Sequence, residues 1–225
     1  MMPRASCLGR QVGWLLLALL TGCIRPAPPA IDWRIEAESP SAKVRFLSGG
    51  VIDIDTPQGL SLWYPRRLAG PVRIAFDAMA IAAGGPNDQV SDLNAFWMAT
   101  DPAVPDGSVF ARPRTGRFAD YDTLKTYYVG IGGNRNSTTR LRRYTGRPGD
   151  RPLLPHHDRG DPSALLQPNR WTRIVLIADG NRIAVERDGR PLFALSDPEP
   201  YRGGWFAIRT TQSHLRIRRL ALSRP

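Results

Sequence analysis

Thiols are scarce in this chain, and their positions exclude whole classes of chemistry. The 225 residues include two cysteines, Cys7 and Cys23. Everything from Ile24 onward therefore lacks the group needed for a disulfide framework, a cysteine zinc site or a cysteine nucleophile. Stability must come from a hydrophobic core, and the roughly two hundred residues after Pro29 suffice for one large domain. Lysine is nearly absent too. Lys43 and Lys125 are the only two, so the formal charge of +11, or +9 without Arg4 and Arg10, is almost entirely arginine. Arginine is the cation suited to planar, bidentate contact with carboxylates. No nucleic-acid-binding motif accompanies the charge, so nucleic acid is not expected as a partner; an acidic polysaccharide or an anionic membrane surface is.

Glutamate is the third shortage. Glu36, Glu38, Glu186 and Glu199 are the full set, and none has the strand spacing that would hold two carboxylates about 5 Å apart for a retaining glycosidase. Glu186-Arg187-Asp188 runs into a turn instead. Helical periodicity is missing as well: from Ile31 onward the chain shows alternation and turn residues, which predicts an all-β domain over 31–225.

The first residues read as an address. Residues 1–22 form an expected signal peptide, with Arg4 and Arg10 as its basic start and Val12 to Leu20 as an apolar run too short to span a bilayer. Leu20-Thr21-Gly22-Cys23 resembles the lipobox of bacterial lipoproteins. That resemblance implies acylation of Cys23 and, with Ile24 rather than aspartate behind it, an outer-membrane location in the envelope of a Gram-negative source. Residues 23–30, with three prolines in Arg25 to Ala30, read as a short stiff tether.

Val44 to Leu47, a Gly49-Gly50 turn and Val51 to Asp55 predict a hairpin, and Leu60 to Tyr64 a further strand. Val72 to Met79 alternates as a half-buried antiparallel strand with Val72, Ile74, Phe76 and Ala78 on one face. Ala95 to Ala99 is another strand, followed by a long irregular segment from Asp101 to Asp122. A second long loop runs from Gly146 to Asn169. Loops of this length are often functional. Trp171 to Leu195 forms a meander reversing at Asp179-Gly180-Asn181 and Asp188-Gly189. Gly203 to Arg209 and His214 to Leu222 close the sheet, with a bulge expected near Arg218-Arg219 because the apolar alternation changes phase there.

Between the two long loops lies the chemically richest stretch, Tyr127 to Tyr144, whose phenols, carboxamides and guanidinium groups are those used to hold a sugar ring and its carboxylate. The C-terminal order of strand, Asp-Gly turn, strand, then Gly204-Trp205-Phe206-Ala207-Ile208-Arg209 and an alternating strand resembles the end of concanavalin A-like jelly rolls. More narrowly, Tyr127-Tyr128-Val129-Gly130, Asn134, Thr138-Thr139-Arg140 and Arg142-Arg143-Tyr144, with Arg209-Thr210 and Ser213-His214-Leu215, resemble an uncharacterised bacterial domain family. Its relatives occur with pectin and rhamnogalacturonan utilisation. The resemblance implies a jelly-roll sandwich of two antiparallel sheets and an acidic, uronate-containing, pectin-like polysaccharide as partner. It also makes structural calcium conceivable, with Asp120 and Asp122 as candidates although nothing in their spacing demands an ion. No resident metal or other cofactor is expected.

Two functions stay open. A polysaccharide lyase needs a uronate carboxylate neutralised by arginine or carboxamide, with Tyr or His as base and Tyr as acid. Arg140 or Arg142 with Asn134, His214 as base, and Tyr127 or Tyr128 as acid would supply these. Adjacent Tyr127 and Tyr128 must face opposite sides of a strand, so one of them belongs to the core, whereas Arg140 and Arg142 share a face. A binding module would use the same groups without turnover, joined by Asn136, Arg209 and Gln212, with Trp97 or Tyr144 as stacking platforms; a purely structural envelope lipoprotein would use none of them. His156-His157-Asp158 reads as a surface loop, since adjacent histidines rarely ligate one ion. The domain is expected to be a monomer.

Overall fold

A computed structural model describes residues 31–225. The expected signal peptide, the acylation site Cys23 and the tether lie outside the described residues. Among the described residues thirteen strands follow in order: β1 (Arg34–Ala37), β2 (Lys43–Leu47), β3 (Val51–Trp63), β4 (Leu68–Ala69), β5 (Val72–Ala80), β6 (Leu93–Thr100), β7 (Lys125–Gly132), β8 (Thr138–Thr145), β9 (Asp158–Arg159), β10 (Thr172–Asp179), β11 (Arg182–Arg187), β12 (Arg190–Ser196) and β13 (Gly203–Ser223). Helical turns of three or four residues are the only other regular structure described.

All strand pairs are antiparallel, in the order β12-β11-β10-β5-β13-β6-β7-β8-β9, with β3 against β13, β1 and β2. Strand β13 belongs to both layers of the sandwich. Its first part, Trp205 to Arg209, pairs with β6, and its last part, Leu215 to Ser223, pairs with β5. One layer is β12-β11-β10-β5 with the end of β13; the other is β9-β8-β7-β6 with its beginning. This is the jelly-roll sandwich the sequence predicts.

Alternation fixes which side chains fill the space between layers. Ile74 and Phe76 of β5, Ile174 and Leu176 of β10, Trp97, Tyr127, Val129 and Leu141 of the second layer, and Phe206 and Ile208 of β13 form one buried cluster. Phe76 and Phe206 meet across it with ring centroids 6.0 Å apart. Each such side chain, fully buried, contributes on the order of 2 kcal/mol.

Two details differ from the strand pattern. Leu60 to Tyr64 is not a separate strand but the continuation of β3, because Pro57 to Gly59 forms a bulge rather than a reversal, held by the Thr56 hydroxyl donating to the Gln58 carbonyl at 2.9 Å. Gly203 to Arg209 and His214 to Leu222 likewise form one strand. It bends at Gln212 (φ 47°) and at the predicted bulge, where Arg219 (φ 52°) interrupts the register.

The second layer also has a core on its outer side. Trp63, Phe96, Tyr121, Leu124, Tyr144 and Trp205 cluster beneath the loop from Asp101 to Leu124. The loop is pinned by buried Asp101, which accepts Arg112 Nε and Nη2, both at 2.8 Å, and Arg114 Nη2 at 2.7 Å. Only part of the outer face is covered in this way.

Candidate functional site

The uncovered part of that face is a cleft of about 510 Å³. Its floor follows from strand register. Arg209 of β13 stands opposite Asn94 of β6, Asn94 opposite Gly130 of β7, and Gly130 opposite Arg140 of β8. Next to this row runs a second one, Ala207, Phe96, Tyr128 and Arg142. Four strands at about 4.8 Å spacing make each row about 14 Å long. Leu141, between the two arginines of β8, faces the core.

Gly130 supplies a depression in the middle of the floor. A Cβ there would lie 2.5 Å from the Tyr128 hydroxyl and 3.0 Å from Asn94 Oδ1, so the missing side chain is what lets both groups reach the same spot. Burial, followed by the fields of Tyr144 and Asp92, raises the Tyr128 pKa against the opposing Arg209 and Arg142. Its phenol is therefore a proton donor at neutral pH.

Arg209 is 1 % exposed and forms no ion pair among the described residues. Its Nη1 donates to the Gly116 carbonyl at 2.8 Å, its Nη2 reaches Thr211 Oγ1 at 3.3 Å, and its Nε has no partner. The guanidinium lies 5.0 Å and 5.3 Å from the ring centroids of Phe118 and Tyr121, and burial lowers its pKa. Across the row, Asn94 Oδ1 is likewise buried without a partner. Each unmatched buried group costs about 1–3 kcal/mol unless something fills it.

Further arginines rim the cleft. Arg142 donates to the Arg151 carbonyl at 2.6 Å and has no carboxylate partner among the described residues, whereas Arg140 is held by Asp158 at 2.8 Å and 3.1 Å. Arg151 pairs with Asp122 at 3.3 Å. Asp92 is the one carboxylate on the lining. One end of the cleft is a turn in which left-handed Gly132 (φ 67°) is followed, after Gly133, by three left-handed residues in succession, Asn134 (φ 52°), Arg135 (φ 57°) and Asn136 (φ 61°). Left-handed residues other than glycine cost roughly 1–2 kcal/mol each. The turn is clamped by Asn136, which exchanges hydrogen bonds with the Leu166 backbone at 3.0 Å and 2.9 Å. It carries Asn134 and Arg135 to the lining. Asp92 (φ 56°) and Gln212 (φ 47°) complete a set of positive-φ residues around the mouth, the kind of strain that concentrates at functional sites.

Of the side chains predicted from sequence, Tyr128, Asn134, Arg140, Arg142, Arg209 and Gln212 line this cleft together. Five others do not. Tyr127 points into the core, donating to Asp197 Oδ2 at 2.6 Å and accepting from the Tyr201 amide at 3.0 Å. Trp97 is fully buried, so it presents no face for stacking on a sugar; Tyr144 is fully buried in the outer aromatic cluster, for the same loss. Asn136 is spent on the Leu166 backbone. His214 faces outward from the other layer, its Nδ1 2.8 Å from Asp88 Oδ1 and its Nε2 3.1 Å from Asp53 Oδ1. Of the acid and base proposed for a lyase, Tyr127 faces the core and His214 is not among the residues that line the cleft with Tyr128.

Asp120 accepts from the Thr115 amide and hydroxyl at 2.7 Å each, while Asp122 faces Arg151. His157 is buried against Phe193 and bonds the Ala194 carbonyl at 2.9 Å. Asn94 was not singled out from the sequence, although a carboxamide between Leu93 and Ala95 in a strand this apolar was its signal. Arg135 and Asp92 lacked any such signal, because their positions depend on left-handed backbone.

Fold and cleft define a jelly-roll β-sandwich with an arginine-rich depression on one outer face. The chain belongs to the family described as domain of unknown function DUF6250, whose profile matches residues 54–220. No curated protein matches it in sequence. Similar solved structures include a protein of unknown function with galectin-like fold from Bacillus subtilis, at a TM-score of 0.62 and 17% identity over 86% of this chain and 89% of that one. The carbohydrate binding module CBM66 from Bacillus subtilis follows at 0.56 and 9%, covering 86% and 96%. The exoplasmic/lumenal domain of VIP36, in its Ca2+/Man-bound form, follows at 0.55 and 13%, covering 86% and 83%. At these identities the likeness is one of fold.

Proposed function

We propose that the cleft binds a carbohydrate bearing carboxylates, a uronate-containing, pectin-like polysaccharide. The observation that carries this is Arg209: a buried guanidinium without a carboxylate partner, its Nε unmatched, beside an equally unmatched Asn94 acceptor. A sugar carboxylate next to a hydroxyl offers the acceptor and the donor these two atoms lack. Arg142 and Arg140 would hold further acidic units along the rows. Two of the similar folds carry names that speak of carbohydrate or mannose, which supports the same class of ligand.

Recognition is favoured over cleavage. With His214 and Tyr127 outside the cleft, elimination would have to proceed from Tyr128 alone, and one lining carboxylate, Asp92, does not make a hydrolytic pair. The proposed address is the bacterial envelope, by acylation of Cys23 and outer-membrane sorting, with the domain acting as a monomer.

The test is retention of the protein on pectic, alginate and neutral polysaccharides, with ultraviolet absorbance followed in parallel. Retention on acidic chains that weakens with salt, without new absorbance, is expected, because exposed ionic contacts are screened over about 10 Å at 0.1 M. Equal retention on neutral chains, or none on any, would overturn the proposal; rising absorbance would restore the lyase. Fatty-acid labelling lost in Cys23→Ala is the expected result for the anchor, and an unlabelled wild type would remove it.

A further inference from the structure

A second basic surface occupies the outer side of the other layer. Leu215 and Ile217 of β13 enter the core, so His214, Arg216 and Arg218 between them face out. Beneath them Asp53 of β3 is fully buried and accepts Arg45 Nε at 3.1 Å, Arg45 Nη2 at 2.7 Å and Arg216 Nε at 2.8 Å. Two residues further along β13, Asp77 of β5 is ringed by Arg173 at 2.9 Å, Arg218 at 3.2 Å and Arg219 at 3.6 Å. Five guanidinium groups therefore share Asp53 and Asp77, and with Lys43 they outnumber the carboxylates of this face even when Asp55, beside Arg45, and Asp88, on His214, are included. Each guanidinium has five N–H donors, so most of them remain for an outside partner.

Apolar side chains stand at the edge of this patch. On β2, Lys43, Arg45 and Leu47 share the outward phase and Phe46 the opposite one, and at the hairpin end that follows both apolar residues protrude, Phe46 57% and Leu47 43% exposed, so they form the edge of the patch rather than its face. At the opposite side the Arg218 guanidinium lies 3.9 Å over Trp171. The bulge at Arg219 holds that side chain out at 73% exposure. Arginines flanked by protruding apolar residues and an aromatic ring are the composition of a surface that rests on anionic headgroups and dips its apolar edge into the interface.

We propose that this face docks on an anionic bilayer, with Phe46 and Leu47 entering the interface and the arginines around Asp53 and Asp77 meeting lipid phosphates. A hydrated polysaccharide would use the arginines but gain nothing from Phe46 and Leu47, so the bilayer is the better fit. The proposal is independent of the cleft, which lies on the opposite layer.

Flotation of the full chain with vesicles tests it, comparing phosphatidylcholine alone with a mixture containing one third phosphatidylglycerol by design, on the order of the anionic content that gives polybasic segments their affinity. Wild type is expected to prefer the anionic vesicles, and the preference to fade with salt. Lys43→Gln combined with Arg219→Gln should weaken it about 25-fold, at about fivefold per charge. Phe46→Ser with Leu47→Ser should weaken it at high salt as well. All four positions are exposed, and an unchanged circular dichroism spectrum would show that these variants fold. Residues 1–30 contribute equally to every variant, so the differences report on this face. Variants that float like wild type would overturn the proposal. So would variants that float like wild type but lose acidic polysaccharide, or a cleft variant, Arg142→Ala, that alone abolishes flotation.

Discussion

Asn94 and Arg209 stand opposite each other on β6 and β13, and each keeps one polar side-chain atom buried without a partner. Unmatched buried atoms weaken the free protein, and the proposed saccharide would match both. Asn94→Leu should therefore leave the thermal midpoint unchanged or raise it, because the unmatched acceptor disappears, while saccharide binding falls at least about tenfold, the equivalent of about 1.4 kcal/mol. Loss of both stability and binding would mean that Asn94 is structural.

Gly130 is predicted to be intolerant of any side chain for reasons of binding rather than folding. In Gly130→Ala the new methyl meets the Tyr128 hydroxyl and Asn94 Oδ1. The expected outcome is an intact β-sheet spectrum with weakened retention on acidic polysaccharide. Undiminished retention would place the ligand elsewhere.

The neighbouring tyrosines should separate stability from binding. Tyr127→Phe removes the donor to Asp197 and the acceptor for the Tyr201 amide, and should destabilise the fold by about 1–3 kcal/mol with binding unchanged. Tyr128→Phe, whose hydroxyl faces the cleft, should do the reverse. Denaturant titration beside polysaccharide retention reads both, and swapped results would reverse the assignment.

Acid should unfold the protein through its buried carboxylates. Burial alone would raise the Asp53 pKa, but hydrogen bonds from Arg216, Arg45 and His214 outweigh it and hold the value at about 2, below the ordinary 3.8. A depressed carboxylate pKa contributes stability that is fully present above the unfolded value and is lost as pH falls through the folded one. Stability should therefore drop between about pH 4 and pH 2, in the window these two values bracket. In Asp53→Asn the drop should be shallower, on a less stable protein whose arginines have lost their partner. An unchanged slope would move the effect to other carboxylates.

Strand periodicity made much of this legible in the sequence. The face assignment of Val72 to Met79, the placement of Arg140 and Arg142 on one side with Leu141 on the other, and the bulge near Arg218-Arg219 all follow from period-two alternation. What alternation cannot supply is the identity of each face. Tyr127 and Tyr128 were known to point opposite ways, but only the packing of Tyr127 against Trp97 and Asp197 shows which one is core. Trp97 fails as a platform because its face of the strand is the core between the layers, and Tyr144 because the outer face has a hydrophobic core of its own under the loop from Asp101; a long polar-looking loop gives no hint that it covers aromatics. Arg135 and Asp92 were missed because consecutive left-handed residues are set by tertiary clamps such as Asn136 with Leu166, which lie thirty positions apart.

Strand β13 also governs when the protein can fold. Its partners β3, β4, β5 and β6 all come from the first hundred residues, so neither layer is complete until the chain beyond Gly203 is available. Contacts of such wide sequence separation form late and slowly. Closing both sheets through one strand makes the pairing of β13 the step on which both layers wait.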